Sequence, residues 1–394
     1  MSLGLYISVP FCKTKCSYCN FASDVFSRAV FRRYVDRLCA DIERAKTTAE
    51  QMGGRFEPSI DSIYLGGGTP TVLDSADLER LFHVISQNFD KLRDTEITVE
   101  CAPGTLTAAM LDTLLRCGVN RVSLGVQSFV DIEAAAVGRL HKRATVLDDI
   151  ARLRDAGISN INLDLIAGLP HQTADSWKAS VDDVIASGAP HASVYMLEVD
   201  EDSRLGRELI AGGTRYHAHF VPDEELTADF YEVACERFDA AGLRQYEISN
   251  SAREGGESRH NLKYWTRQPY LGFGVDAHSM LPAIAPELDA VRFSTPDQLE
   301  QYVAEGALSR SVVSRQDAWE EHFFLGLRLN AGVDLDQVVR KFGREEDSAL
   351  TPVLTELETD GLIERDGNHI CLTPRGRLLS NEVFQKFLSI PAKL

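Results

Sequence analysis

No stretch of this 394-residue chain has the uninterrupted apolar length of a membrane span, and its first residues lack the basic-then-apolar pattern of a secretory signal. Long low-complexity tracts are missing as well. With 44% apolar residues, the chain reads as a soluble, well-packed protein with one large domain and a smaller companion. Basic residues are in short supply: a formal net charge of −18 denies the protein the footprint needed to wrap nucleic acid, and favours a protein or small-molecule partner. Of the eight cysteines, Cys39, Cys101, Cys117, Cys235 and Cys371 stand singly in apolar surroundings and read as core residues.

The other three form Cys12-Lys-Thr-Lys-Cys16-Ser-Tyr-Cys19, directly after the apolar run Leu5 to Pro10. Two C-x2-C pairs would suggest a zinc ribbon and a lone C-x-x-C a dithiol redox site; C-x3-C-x2-C is neither. Three thiolates can hold three corners of a 4Fe-4S cubane and leave its fourth iron open to a small ligand. A three-thiolate zinc site completed by a remote histidine is the alternative. Thiols that must stay reduced place the chain in a reducing compartment, so a cytoplasmic protein is expected.

Short β-rich runs alternate with helical patterns through the first half: Leu5 to Pro10, Ser62 to Gly66, Ile97 to Cys101, Arg121 to Phe129, Asn160 to Gly168 and Ala192 to Val199. Between them, Leu78, Leu81, Phe82 and Ile85 recur at i, i+3, i+4 and i+7, and Thr107 is placed to cap a helix ending near Gly118. Strand then helix, repeated about every thirty residues, predicts a parallel βα array curling toward a partial barrel, with an open doubly wound sheet as the alternative. Within the strands, Ile161, Leu163 and Leu165 oppose Asn162, Asp164 and Ile166; Ile97, Val99 and Cys101 oppose Thr98 and Glu100; Val122, Leu124 and Val126 oppose Ser123, Gly125 and Gln127; Leu5, Ile7 and Val9 oppose Tyr6 and Ser8. Helices cover the apolar face, so the polar face points inward. An interior holding Tyr6, Glu100, Gln127 and Asp164 is costly unless those groups meet a ligand or one another, for instance in a salt-bridge network with Arg139. Gly66-Gly67-Gly68-Thr69-Pro70-Thr71 lets backbone approach a ligand at a strand end; it is neither a P-loop nor a G-x-G-x-x-G fingerprint, and taken alone it reads more simply as a tight turn.

Together with Glu100-Cys-Ala-Pro-Gly-Thr, Gly125-Val-Gln127-Ser-Phe and Asp164-Leu-Ile-Ala-Gly-Leu-Pro170, these motifs resemble the radical S-adenosylmethionine (SAM) superfamily, in its oxygen-independent coproporphyrinogen oxidase branch, over nearly the whole chain. The resemblance implies that Cys12, Cys16 and Cys19 ligate a 4Fe-4S cluster. It implies a SAM site of Tyr6, Gly67, Gly68, Thr69, Glu100, Gln127, Arg139 and Asp164, with Tyr18 and Leu197 close by. Oxidases of the branch carry a fourth cysteine two residues after the third, where this chain has Phe21, and an N-terminal extension ahead of the first strand. Both departures weigh against porphyrinogen turnover. His260-Asn261-Leu262-Lys263-Tyr264-Trp265 instead is similar to the H-N-x-x-Y-W motif of the branch's heme chaperones, which hand heme to client hemoproteins. A neutral histidine is a sound axial ligand, the two aromatics offer flat surfaces, and Arg253, Arg259, Lys263 and Arg267 suit propionates. The alternative is that His260 and Asn261 cap a segment while Tyr264 and Trp265 fill the core. The expected partners are heme and client hemoproteins, with a homodimer and transient membrane contact also consistent with the resemblance.

From about Val312 the character changes. A helix carrying Trp319, Phe323, Phe324, Leu327 and Leu329 leads through Leu350 to Leu357 into a hairpin around Asp366-Gly367, which predicts a small winged-helix-like domain over 311–394 after a barrel over 1–310. Glu345, Glu346, Asp347, Glu356, Glu358 and Asp360 favour packing or protein docking over DNA binding there.

Overall fold

The computed structural model describes residues 1–343 and 350–388. Six strands, β1 (Leu3–Val9), β2 (Ser59–Gly67), β3 (Asp90–Cys101), β4 (Arg121–Gln127), β5 (Asn160–Ala167) and β6 (His191–Met196), pair in parallel, each with the next in sequence. A doubly wound sheet reverses its order at a switch point; this one does not, so the succession is that of a barrel. The sheet stays open. β7 (Arg244–Glu247) and β8 (Asn250–Ala252) extend it antiparallel beyond β6. On the other side β9 (Tyr270–Phe273) lies parallel to β1, followed outward by β10 (His278–Pro282), β11 (Leu288–Ser294) and β12 (Ser309–Ser314).

Alternation sorts the strand faces as expected. Leu3, Leu5, Ile7 and Val9, and Ile161, Leu163 and Leu165, are fully buried in one continuous core beneath the helices. The helix Ser75–Asn88 contributes Leu78, Leu81, Phe82 and Ile85 to that core, each contributing roughly 1.5–3 kcal/mol of burial. Thr107 does cap the helix Ala108–Arg116, accepting from the Met110 amide at 3.1 Å, and Gly118 follows at φ 78°.

The last unit has its own core, in which Trp319, Phe323, Leu354, Ile370 and Phe387 pack together with Met280 and Ala290 of the large sheet. Helices Arg315–Gly326, Leu335–Phe342 and Leu350–Thr359 precede a hairpin of β14 (Ile363–Asp366) and β15 (His369–Leu372), to which β13 (Val333–Asp334) adds a third strand. Helices followed by a small winged sheet match the expected architecture. β12 runs through the expected boundary at 310/311 and pairs with β11, so the large sheet continues to Ser314 and the helical unit starts at Arg315. Of the acidic residues noted in the sequence, Glu345, Glu346 and Asp347 lie outside the described residues.

Candidate cofactor site

The inward strand faces open at their C-terminal ends into a cavity of about 750 Å³, lined by the cysteine loop, the glycine segment and the polar strand residues. Tyr6, Tyr18, Gly67, Gly68, Thr69, Glu100, Gln127, Arg139, Asp164 and Leu197 all reach it, so the residues implied by resemblance and the faces derived from alternation converge on one place.

The cysteine loop is pinned at both ends: the Cys12 amide donates to Asp24 O and the Asp24 amide to Pro10 O, each at 3.0 Å. Cys12, Cys16 and Cys19 are free thiols. Each has a polar group beside its sulfur: Thr69 Oγ1 at 3.9 Å from Cys12, Arg139 Nη1 at 3.6 Å from Cys16, and Ser23 Oγ at 3.9 Å from Cys19. Burial pushes the Cys12 thiol up from its ordinary value, so its sulfur carries charge comfortably only against a cation. Among the described residues no three His, Cys, Asp or Glu side chains converge as a single metal ion requires. A cubane asks for something different, namely three thiolates held apart, each on its own iron. The donor set therefore fits a cluster better than the zinc alternative.

Beside the loop, Gly67 has φ +89°, and a side chain on Gly68 would stand 2.5 Å from Val9 O and 2.9 Å from Phe11 N. Only glycine lets the segment lie against the cysteine loop, where the Thr69 amide donates to Phe11 O at 2.8 Å. Glu100 accepts from Tyr64 Oη at 2.8 Å. Burial pushes its carboxyl up to about 7, against that hydrogen bond and aided by the charge of Asp164. Asp164 accepts from Ser123 Oγ at 3.1 Å and Asn162 Nδ2 at 2.7 Å, and burial again raises its pKa. Arg139 donates to Gly125 O across the mouth. The alternative, a salt-bridge network between Arg139 and the carboxylates, does not form among the described residues. Instead Gln127 Oε1, Arg139 Nε, Arg121 Nε, Asn250 Oδ1 and Arg328 Nε are buried without a hydrogen-bond partner, and all five residues line the cavity. Such orphans are costly; here they mark a ligand cradle.

The His260 segment is helical (Arg259–Trp265), with Ser258 as its N-cap. It plugs the opposite, N-terminal end of the strands. Glu96 at the lower part of β3 accepts the amides of Arg259 and His260 at 3.2 Å, and Lys263 pairs with Asp61 at 2.7 Å. The fit is tight, since a side chain on Gly4 would stand 2.7 Å from Lys263 Cδ. His260 is 1% exposed, its Nδ1 3.0 Å from Ser62 Oγ and its Nε2 2.9 Å from Tyr264 Oη. Burial, with Lys263 adjacent, holds its imidazole down to about 3, hence neutral. Tyr264 does lie one turn on, but its hydroxyl occupies the nitrogen an iron would need. Trp265 lies under the Arg328 guanidinium, 4.3 Å from its ring centroid, and its Nε1 is buried without a partner. Of the four expected heme residues only Asn261 reaches the cavity. As folded, the segment takes neither form in full: Ser258 rather than His260 or Asn261 caps it, His260 is buried and paired, and Tyr264 and Trp265 are only half-buried.

Sequence reasoning missed part of the cavity wall. Tyr64, His191, Ser193 and Tyr195 line it, and a chain of hydrogen bonds runs from Asn162 Oδ1 to His191 Nδ1 (2.6 Å), from His191 Nε2 to Tyr246 Oη (2.9 Å), and from the Ser258 amide to that same Tyr246 oxygen (3.2 Å). Tyr64 shares the inward parity of Ser62 and Gly66, and alternation extended to β2 and β6 would have found these residues.

A parallel βα array with a three-cysteine loop, a glycine segment and buried carboxylates at its mouth defines a radical SAM protein. In agreement, the Radical SAM superfamily profile matches residues 6–184 and the HemN C-terminal domain profile residues 313–379. The superfamily implies a 4Fe-4S cluster and SAM. The chain is 36% identical to the heme chaperone HemW of Bacillus subtilis, over 97% of this chain and 98% of that one, and 30% identical to HemW of Escherichia coli, over 98% of each. It is 31% identical to the bovine mitochondrial radical S-adenosyl methionine domain-containing protein 1, over 84% of this chain and 74% of that one. The fold is shared with the coproporphyrinogen III oxidase HemN of Escherichia coli (TM-score 0.82, 24% identity, covering 98% of this chain and 90% of that chain). The chain belongs to the HemW family of heme chaperones within the radical SAM superfamily.

Proposed function

We propose that this protein binds heme and passes it to client hemoproteins, with a 4Fe-4S cluster on Cys12, Cys16 and Cys19 and SAM beside it at the sheet mouth. The observation that carries the reading is the end-to-end similarity to HemW chaperones, which spans both domains. When bound, the cluster supplies an open iron to chelate SAM and a source of single electrons. The chain's own residues do the rest. Arg139 offsets charge at Cys16, the Gly67–Gly68 backbone admits an amino acid moiety, and the Glu100 and Asp164 carboxylates, reluctant to ionise alone, gain from a cationic ligand. Heme is cargo in this scheme. His260 can serve as axial ligand only after its Nε2 leaves Tyr264, with Asn261, Tyr264 and Trp265 moving alongside, so the segment as folded is a closed form. A homodimer, transient membrane contact and a cytoplasmic setting belong to the same proposal; among the described residues no helix is long and apolar enough to cross a membrane.

Coproporphyrinogen oxidation is the second reading, favoured by the HemN-like fold. Phe21, 66% exposed at the cavity edge, stands where oxidases of the branch have a cysteine. Cluster-reconstituted protein incubated with hemin should bind it. Incubated with coproporphyrinogen III, SAM and a reductant, it should form no protoporphyrinogen IX; multiple turnovers would install the oxidase reading instead.

A further inference from the structure

A cargo carrier needs a ligand group that solvent can reach, and His260 is not one. An exposed imidazole, His219, and a half-buried one, His217, lie at the C-terminal rim of the sheet, on the segment between β6 and the helix Glu224–Ala240. His171 follows β5, and its Nε2 lies 3.2 Å from His217 Nδ1. Both rings border Phe220, with the His171 centroid 4.2 Å and that of His217 6.2 Å away, and the His219 ring lies tilted against Phe220 at 4.1 Å. His219 is exposed, and neither of its ring nitrogens has a hydrogen-bond partner among the described residues.

The cluster is built rather than incidental. The Glu208 carboxylate accepts the amides of Tyr216 (2.8 Å) and Ala218 (3.2 Å), and the His171 amide donates to Phe220 O at 3.1 Å. His171 and His217 are both held at positive φ (70° and 60°), a conformation that costs free energy unless the surroundings impose it. Next to the trio the helix Arg204–Ala211 leaves Leu209 54% and Ile210 67% exposed, and Phe220 is 48% exposed. That helix starts against the cysteine loop, the Leu205 amide donating to Ser17 O at 2.8 Å. Arg207 and Arg215 are exposed and have no ion pair among the described residues.

A bare metal ion would need three converging donors, and none converge here among the described residues. An iron porphyrin asks for less: one neutral imidazole, a flat apolar surface and cations for two carboxylates. We propose that His219, backed by the His171–His217 pair and by Phe220, Leu209 and Ile210, forms a surface port that takes heme by axial imidazole ligation, with Arg207 and Arg215 facing its propionates. This rests on the heme-chaperone reading and adds a place of first contact outside the H-N-x-x-Y-W segment.

The test is titration of hemin into full-length protein, read as the Soret difference spectrum, for wild type, His219→Gln and the double variant His217→Ala/His219→Ala. The expected result is a loss of affinity of at least about tenfold in the double variant, a smaller loss with a shifted band in His219→Gln, and unchanged melting temperature in His219→Gln because that side chain is exposed. Wild-type binding with unchanged affinity and spectrum in both variants would overturn the port and leave the chaperone reading intact. No hemin binding by wild type would overturn both.

Discussion

The two ends of the same strands are built in opposite ways. At the C-terminal end, carboxylates are pushed toward neutrality, the buried Gln127 Oε1 and Arg139 Nε stand without partners, and three free thiols share one loop. At the N-terminal end, a helix plugs the opening, and the backbone amides, lysine and histidine that it brings are nearly all paired. An unsatisfied end awaits a ligand; a largely satisfied end holds the molecule together. Both ends carry family motifs, yet only one has the physical marks of an open site.

The comparison breaks first at the cysteines. Anaerobic reconstitution should load about four irons per chain, and Cys12→Ala, Cys16→Ala or Cys19→Ala should abolish the cluster absorbance outright. Cys39→Ala and Cys235→Ala should leave it unchanged, since those thiols lie elsewhere, Cys39 in the core. Zinc loading without an iron-sulfur spectrum would refute the site.

The carboxylates come next. Glu100→Gln and Asp164→Ala should each weaken SAM binding, measured calorimetrically, by ten- to a hundredfold, an effect of about 1.4–2.7 kcal/mol. Folding should respond the other way for Glu100→Gln. With a folded pKa of about 7 against 4.5 for the free group, native protein holds a proton that unfolded protein has lost. Stability from this group is full below pH 4.5, falls as pH rises to 7 and levels off above. Removing the carboxylate should therefore raise SAM-free stability at pH 8 by at most about 3 kcal/mol, seen as a higher denaturation midpoint. A variant that binds SAM normally and is destabilised at pH 8 would mean that Glu100 belongs to the scaffold.

Much of this contrast was legible in the sequence. Period-two alternation placed Glu100, Gln127 and Asp164 inward without any structure, because a parallel strand under helices has only one face to hide apolar side chains on. The cysteine spacing carried its own chemistry. The fate of the histidine motif was not legible. Helical periodicity correctly put Tyr264 one turn from His260, but spacing cannot say whether a tyrosine beside a histidine flanks its ligand or replaces it. That depends on Ser62 and Glu96, remote in sequence, which pull the helix into the sheet's lower opening. The run of the large sheet through β12 to Ser314 was hidden for a related reason: β12 pairs with β11 through long-range hydrogen bonds that local composition does not show.

His260→Ala should therefore act on stability. It leaves the Ser62 and Tyr264 hydroxyls without their buried partner and opens a cavity, at a cost of about 2–4 kcal/mol, read as a lowered denaturation midpoint with the cluster spectrum unaltered. A variant as stable as wild type would mean that the ring is not part of the plug.

The smallest expected effect discriminates most finely. Tyr264→Phe keeps the ring that packs against Tyr270, 4.6 Å between centroids, and deletes only the hydroxyl on His260 Nε2. Loss of one buried hydrogen bond should cost about 1 kcal/mol. Ser62 still holds Nδ1, so the imidazole stays in place and stays neutral, its low pKa being set first by burial. What changes is that Nε2 loses its competitor. If His260 is an axial ligand in an opened form of the segment, hemin affinity should rise in Tyr264→Phe, because opening no longer sacrifices that bond, and His260→Ala in the same background should abolish the gain. If heme binds only through the rim imidazoles, Tyr264→Phe should bind hemin as wild type does, and the lower end of the sheet is a plug alone.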